Sequence, residues 1–122
     1  MPSSKIYEDA YVFAFLSIAP NNEGHTLVIP KTHSENIFEM DDEVVSKIFI
    51  TTKKLSVAIK KAVKADAINI AMNNGKEAGQ VVFHSHVHII PRYDKDGFVH
   101  WKGSEYKEGR AEIIKEQLKN AL

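Results

Sequence analysis

The spacing of apolar residues changes several times along the chain, and each change predicts an element. Two short β-rich stretches, Lys5 to Glu8 and Tyr11 to Ser17, read as strands turned at Asp9-Ala10. Pro20 to Gly24 is a loop by composition, and His25 to Ile29 a third strand that Pro30 ends because it lacks an N–H. Ser34 to Met40 suggests a short helical turn. Val45, Ile48, Phe49, Leu55, Ile59, Ala62 and Val63 then recur in steps of three and four, with Lys53, Lys54, Lys60 and Lys61 mostly off that stripe. A long amphipathic helix is predicted over Asp42 to Val63, capped by Asp41 or Asp42. Ala67 to Asn73 reads as a strand, Asn74 to Gly79 as a glycine-containing loop, and Val81 to Pro91 as a strand with a polar face. A last helix is predicted over Arg110 to Ala121, with Ile113, Ile114, Leu118 and Ala121 inward.

Five strands and two helices that do not alternate strictly disfavour a doubly wound parallel sheet. They predict an α+β fold: a mostly antiparallel five-stranded sheet, covered by a long central helix and a C-terminal helix. At 122 residues, with no repeat or linker, a single domain over 1–122 is expected. Lys+Arg and Asp+Glu are both 16, so no long-range attraction to nucleic acid is implied and none is expected as a partner. The absence of cysteine excludes thiolate catalysis and cysteine-ligated metals within the sequence. Met1 to Lys5 has no apolar signal core, and no stretch reaches the roughly 18 apolar residues of a membrane span. A cytoplasmic protein without a membrane partner is expected.

Three of the six histidines fall at alternate positions in Val82-Phe83-His84-Ser85-His86-Val87-His88-Ile89-Ile90. On a strand, His84, His86 and His88 would share one face, about 6.6 Å apart, with Phe83, Ser85, Val87 and Ile89 on the other. A core face would use Val or Ile there, so the imidazoles need a chemical reason. A zinc site with His25 as a further ligand is one reading. The other is nucleophilic or acid–base work, since neutral imidazole is a nucleophile near pH 7 when its proton-bearing nitrogen is held by an acceptor. Asn73, Gly75, Gly79 and Gln80, just before the run, would supply donors where negative charge develops. Phosphoryl chemistry suits this equipment.

At these residues the sequence resembles the histidine triad (HIT) superfamily of nucleotide hydrolases and transferases. His84-Ser85-His86-Val87-His88-Ile89-Ile90 matches its His-x-His-x-His motif followed by apolar residues, with Ser85 less apolar than usual. The likeness includes Val12 to Phe15, Gly24 to Lys31, Met72 to Gly75 and Gly79 to Phe83, and the Ile89-Ile90-Pro91-Arg92-Tyr93 of the bacterial branch; it covers about Ile6 to Trp101. It implies that His86 attacks an α-phosphate to form a covalent nucleotidyl-histidine, which water then releases as the nucleoside monophosphate. It implies that His88 contacts phosphate, that the His84 carbonyl orients the His86 ring, and that His25 supports the triad from a neighbouring strand. Asn73 and Gln80 match polar residues near the phosphate. Ile6, Phe13, Phe15, Leu27 and Ile29 are candidates for an apolar base pocket, and His33 and His100 are expected at the surface.

Three positions depart from the family pattern. Ser17 stands where an aspartate usually holds the ribose hydroxyls, and Val81 where a serine often assists at phosphate, keeping only the backbone N–H. The cysteine-containing segment with which many bacterial relatives begin is missing, so no metal and no cofactor are expected. The resemblance implies a purine nucleotide or nucleoside phosphate derivative as ligand. It also implies a homodimer paired through the long helix and the Ala67 to Asn73 strand, with Trp101 a candidate to reach the partner's site. Two alternative functions are a nucleotide-binding interaction module with little turnover and a metal-dependent hydrolase using the histidine cluster.

Overall fold

A computed structural model describes residues 4–122. Its elements are β1 (Lys5–Glu8), β2 (Val12–Leu16), β3 (Thr26–Pro30), α1 (Asp42–Ala62), β4 (Ala67–Ala71), β5 (Val87–Arg92) and α2 (Arg110–Ala121), with 3₁₀ turns at Ile37–Glu39 and Lys76–Ala78. The strands form one sheet in the order β1-β2-β3-β5-β4, every neighbouring pair antiparallel. This is the expected α+β architecture.

Alternation along the strands decides where the core lies. Thr26, Val28 and Pro30 of β3 are buried, while Leu27 and Ile29 between them are half-exposed; β2 and β5 repeat the pattern. The buried face joins Val12, Ala14, Val28, Val87 and Ile89 to Ile48, Leu55 and Ile59 of α1. The helix is held along this stripe, with acidic Asp42 and Glu43 in its first turn and Lys60 and Lys61 in its last, each sign matched to the helix dipole. Among the described residues no helix packs on the opposite sheet face, which is left open for a site.

β1 joins this sheet through an irregular register. Lys5 lies opposite Phe15, but Tyr7 lies opposite Ala14 and Glu8 opposite Phe13, with a bulge between Lys5 and Tyr7. A bulge sets two residues against one, so Ile6 and Tyr7 both turn toward the helix side.

Three sequence expectations need correction. β5 begins at Val87, not Val81, so His84 and His86 lie in irregular chain just ahead of the strand. Phe83 therefore does not pack under α1 with Val87 and Ile89 but is exposed. α2 has the expected bounds, yet none of its residues is buried, and Ile113 and Leu118 are exposed. No helix among the described residues is long and apolar enough to cross a membrane.

Ile48 is fully buried at the centre of the helix–sheet contact. Ile48→Ala should lower unfolding stability by about 2–5 kcal/mol, the range for truncating a large aliphatic side chain in a packed core. Denaturant melts with an unchanged slope and a lower midpoint would register it; an unchanged midpoint would contradict this packing.

Candidate active site

The open face gathers one row of side chains per register position. His88 lies opposite Leu27, and Leu27 opposite Phe15; Ile29 lies opposite Phe13 in the next row. His86 and His84, just ahead of the start of β5, extend this face. Phe15, Leu27, Ile29, Val82, His84 and His86 line an open, largely apolar cavity of about 250 Å³. Phe13 stands beside it, its ring 5.5 Å from that of Phe15.

The hydrogen-bond partners assign the proton on each ring. The Asn21 N–H donates to His25 Nδ1 at 3.1 Å, so neutral His25 carries its proton on Nε2. That proton points at Nδ1 of His88, 2.9 Å away, which leaves His88 protonated on Nε2. The His86 Nδ1–H donates to the His84 carbonyl at 2.8 Å, leaving the Nε2 lone pair free of a proton. The His84 Nε2–H donates to the Pro30 carbonyl at 3.0 Å, and its Nδ1 lies 2.8 Å from Nδ1 of His33.

The loop feeding β3 makes the first of these bonds possible. Gly24 takes φ +94°, and a Cβ there would come within 3.1 Å of Val63 and 3.2 Å of Pro91. Asn22 next to it donates to the Pro91 carbonyl at 2.8 Å and to Asp96 at 3.1 Å. Asp96 also grips Arg92 with both oxygens, at 2.8 and 2.9 Å, and that guanidinium holds its carboxyl well below the usual carboxylate range. Residues 21–25 are thus tied to the end of β5, and the Asn21 N–H meets His25 in a fixed place.

Burial has a clear effect on two imidazoles. Desolvation pushes His88 down from the ordinary 6.5 to about 4, and the neighbouring His86 and His25 rings add to it. Desolvation also lowers His25. Both are therefore neutral at pH 7, as the chain of bonds between them requires.

Residues 1–95 match the family model for the HIT domain. The chain belongs to the HIT domain family. It is 46% identical over 121 residues to Protein hit of Bacillus subtilis (strain 168), covering 98% of this chain and 81% of that protein. It is 42% identical over 107 residues to the adenosine 5′-monophosphoramidase HNT1 of Saccharomyces cerevisiae, covering 86% of this chain and 65% of that protein. A crystal structure of a Streptococcus mutans UA159 protein superposes with a TM-score of 0.92 at 43% identity, covering 99% of this chain and 78% of the other.

The other HIT positions singled out in the sequence fall in different surroundings. Ile6 lines a separate cavity with Leu16, Leu55, Ile59 and Val63 on the helix side of the sheet, because the β1 bulge turns it away from the triad. It does not line the cavity beside the triad. Gln80 is buried and its amide is fully committed: Oε1 accepts from the Gly75 N–H, and Nε2 donates to the Glu35 and Val82 carbonyls. Both amide hydrogens are used, so none is left over for a phosphate. Asn73 is half-buried beside Gly79, where a Cβ would lie 3.4 Å from its Nδ2. Val81 is 83% exposed. Ser17 accepts from the Ala19 N–H at 3.2 Å, while its own N–H donates to the His25 carbonyl. His33, expected at the surface with no role, is exposed but bonded to His84. His100 borders a different cavity, with Asn69, Arg92 and Tyr93.

The His33–His84 pair is not set out as metal ligands. The ring nitrogens of His33 and His84 face each other at hydrogen-bonding distance, so one of them must carry a proton where a ligand would need a lone pair. Among the described residues no group of three or more His, Asp or Glu side chains is gathered for a metal.

The depressed His88 value fixes a pH dependence. Between about 4 and 6.5 the unfolded chain binds this proton and the folded chain does not, so stability falls as pH drops through that window. A histidine NMR titration should place the His88 midpoint near 4; a midpoint near 6.5 would contradict the burial and the His25 bond.

Proposed function

We propose that the chain is a nucleotide hydrolase or transferase that cleaves nucleoside 5′-phosphate derivatives, among them phosphoramidates, adenylates and dinucleoside polyphosphates, through a covalent nucleotidyl-histidine on His86. One observation carries this reading: the His86 Nδ1–H is held by the His84 carbonyl, so Nε2 presents its lone pair beside an apolar cavity. Membership of the HIT family, and likeness to a relative named as an adenosine 5′-monophosphoramidase, support the substrate class.

In the first step His86 Nε2 attacks the α-phosphorus, and the bond to the leaving group breaks. The leaving group departs with that electron pair and takes a proton from solvent. The imidazole, now bonded to phosphorus and still protonated on Nδ1, carries a positive charge. The His84 carbonyl faces that charge and stabilises it where it develops. His88, kept neutral by burial, donates its Nε2–H to the phosphate oxygens without changing protonation state. Water then attacks phosphorus and loses a proton to solvent, while the P–Nε2 bond breaks and its electron pair returns to His86. The nucleoside monophosphate is released. Phe15 and Leu27 supply apolar walls for the base and sugar, with Phe13 beside them, while Ser17 offers ribose only a neutral hydroxyl.

His86→Ala should abolish the adduct and slow turnover by at least about 10³-fold, as expected when a nucleophile is removed. Rapid quench with an adenosine phosphoramidate labelled at phosphorus, followed by peptide mapping, would test this. Label trapped on a residue other than His86 would defeat the assignment. Chelator-sensitive turnover with no adduct would favour metal chemistry, and tight binding without turnover an interaction module.

The same reading includes a homodimer. Ile50 and Val57 of α1, Ile70 of β4, and the tail from Val99 onward leave large apolar side chains exposed, Trp101 among them. Light scattering over a broad dilution series should give about twice the 13.7 kDa chain mass, and a mass at the single-chain value throughout would reject the dimer.

A further inference from the structure

β5 starts only at Val87, yet His84 and His86 lie before it, beyond the ladder that pairs β5 with β3. Their positions need another restraint. The short stretch after β3 supplies one. Ser34 accepts through its carbonyl from the Ser85 N–H at 2.8 Å and from the Ser85 hydroxyl at 2.9 Å. That uses the single hydroxyl proton of Ser85, so the 2.9 Å contact between the two Oγ atoms is a donation from Ser34. Next to this pair, His33 meets His84 at 2.8 Å; His84 already gives its Nε2–H to Pro30, so His33 must be the donor. One residue further on, the Glu35 carbonyl accepts from Gln80. Two consecutive residues thus grip two consecutive residues. The hydroxyl pair is buried, Ser34 at 8% and Ser85 at 1% exposure, and the imidazole pair lies toward solvent.

We infer that His33 and Ser34 are positioning residues for His86. They fix residues 84 and 85 so that the His84 carbonyl faces His86 Nδ1 and selects the tautomer with a free Nε2. Apolar side chains of similar volume would fill the space under residue 85 as well as two hydroxyls do, but dispersion contacts have no direction. Hydroxyl bonds do, and a buried pair holds only while both partners keep their geometry. The His84 ring, bonded at both nitrogens, cannot turn without losing a bond. Neither His33 nor Ser34 needs to touch a substrate. This inference rests on His86 being the nucleophile only for its catalytic consequence; the tautomer it sets exists without ligand.

The test compares His33→Phe, which keeps a ring and removes the donor, with His33→Asn, whose side-chain N–H sits as far along the chain as His Nδ1. Ser34→Ala and Ser85→Ala probe the buried half. Long-range nitrogen–hydrogen NMR correlations on the unliganded protein in mildly alkaline buffer report the His86 tautomer. Wild type should show Nδ1–H alone; His33→Phe and Ser34→Ala should show a mixture with Nε2–H; His33→Asn should restore the wild-type pattern. For an adenosine phosphoramidate, kcat should fall by about 10- to 100-fold with KM changed less than about twofold, the pattern of a misaimed nucleophile rather than lost binding. An unchanged His86 pattern in His33→Phe, or a changed one with turnover intact, overturns the inference. If Ser34→Ala does not fold, the exposed His33 pair decides it. If wild-type protein shows neither turnover nor adduct, the proposed function fails, and the tautomer comparison still decides whether the clamp exists.

Discussion

The hydrogen bond from His86 Nδ1 to the His84 carbonyl spans only two residues, and much of the surrounding structure bears on it. A neutral imidazole has one proton and two nitrogens. Whichever nitrogen loses the proton becomes the nucleophile, so an acceptor on one side selects the reactive atom on the other. A carbonyl suits this task because it is always an acceptor and is carried by the backbone. Its direction is then a property of the chain path, set by whatever holds residues 84 and 85 in place.

The second histidine relay works by the same logic from the other side. A backbone N–H at Asn21 sets His25, and His25 sets His88. Each relay starts from a backbone group or ends on one, so a backbone donor or acceptor anchors each chain of tautomers. The difference lies in burial. His25 and His88 sit over β3 and β5, where desolvation keeps them neutral, whereas the outer relay through His33 reaches solvent. The division of the sheet into a helix-covered face and an open face makes room for both.

Much of this was legible in the sequence, and the gaps have physical causes. The α1 stripe placed that helix to within a residue, because a helix of 21 residues repeats its pattern many times. The His-x-His-x-His alternation told which side chains share a face, but alternation says nothing about hydrogen-bond partners. It therefore ran β5 back through residues that make no ladder. Ile6 lies on the helix side, which the sequence does not reveal, because a bulge is a mismatch between two strands and leaves no mark on either one. Gln80 looked available until its amide was found committed to carbonyls as distant as that of Glu35. His33 bonds a residue 51 positions away, and nothing local announces such a partner. The amphipathic spacing of α2 predicts a stripe, but a stripe does not name the surface it meets, and among the described residues none buries it.

The bulge that diverts Ile6 also affects how sheets from separate molecules could meet. An open sheet has two raw edges, and a molecule able to extend at both would add copies without limit. Here the β1 margin is kinked by the bulge and carries Lys5 and Glu8, two devices that spoil templating by an incoming strand. The β4 margin, Ala67–Ala71, pairs regularly with β5 and has no such disruption. A molecule with one blunted and one regular margin can share strand hydrogen bonds with a single neighbour. Were two copies to pair along β4, growth would stop after that one addition, and a bulge in a four-residue strand would be enough to prevent a filament.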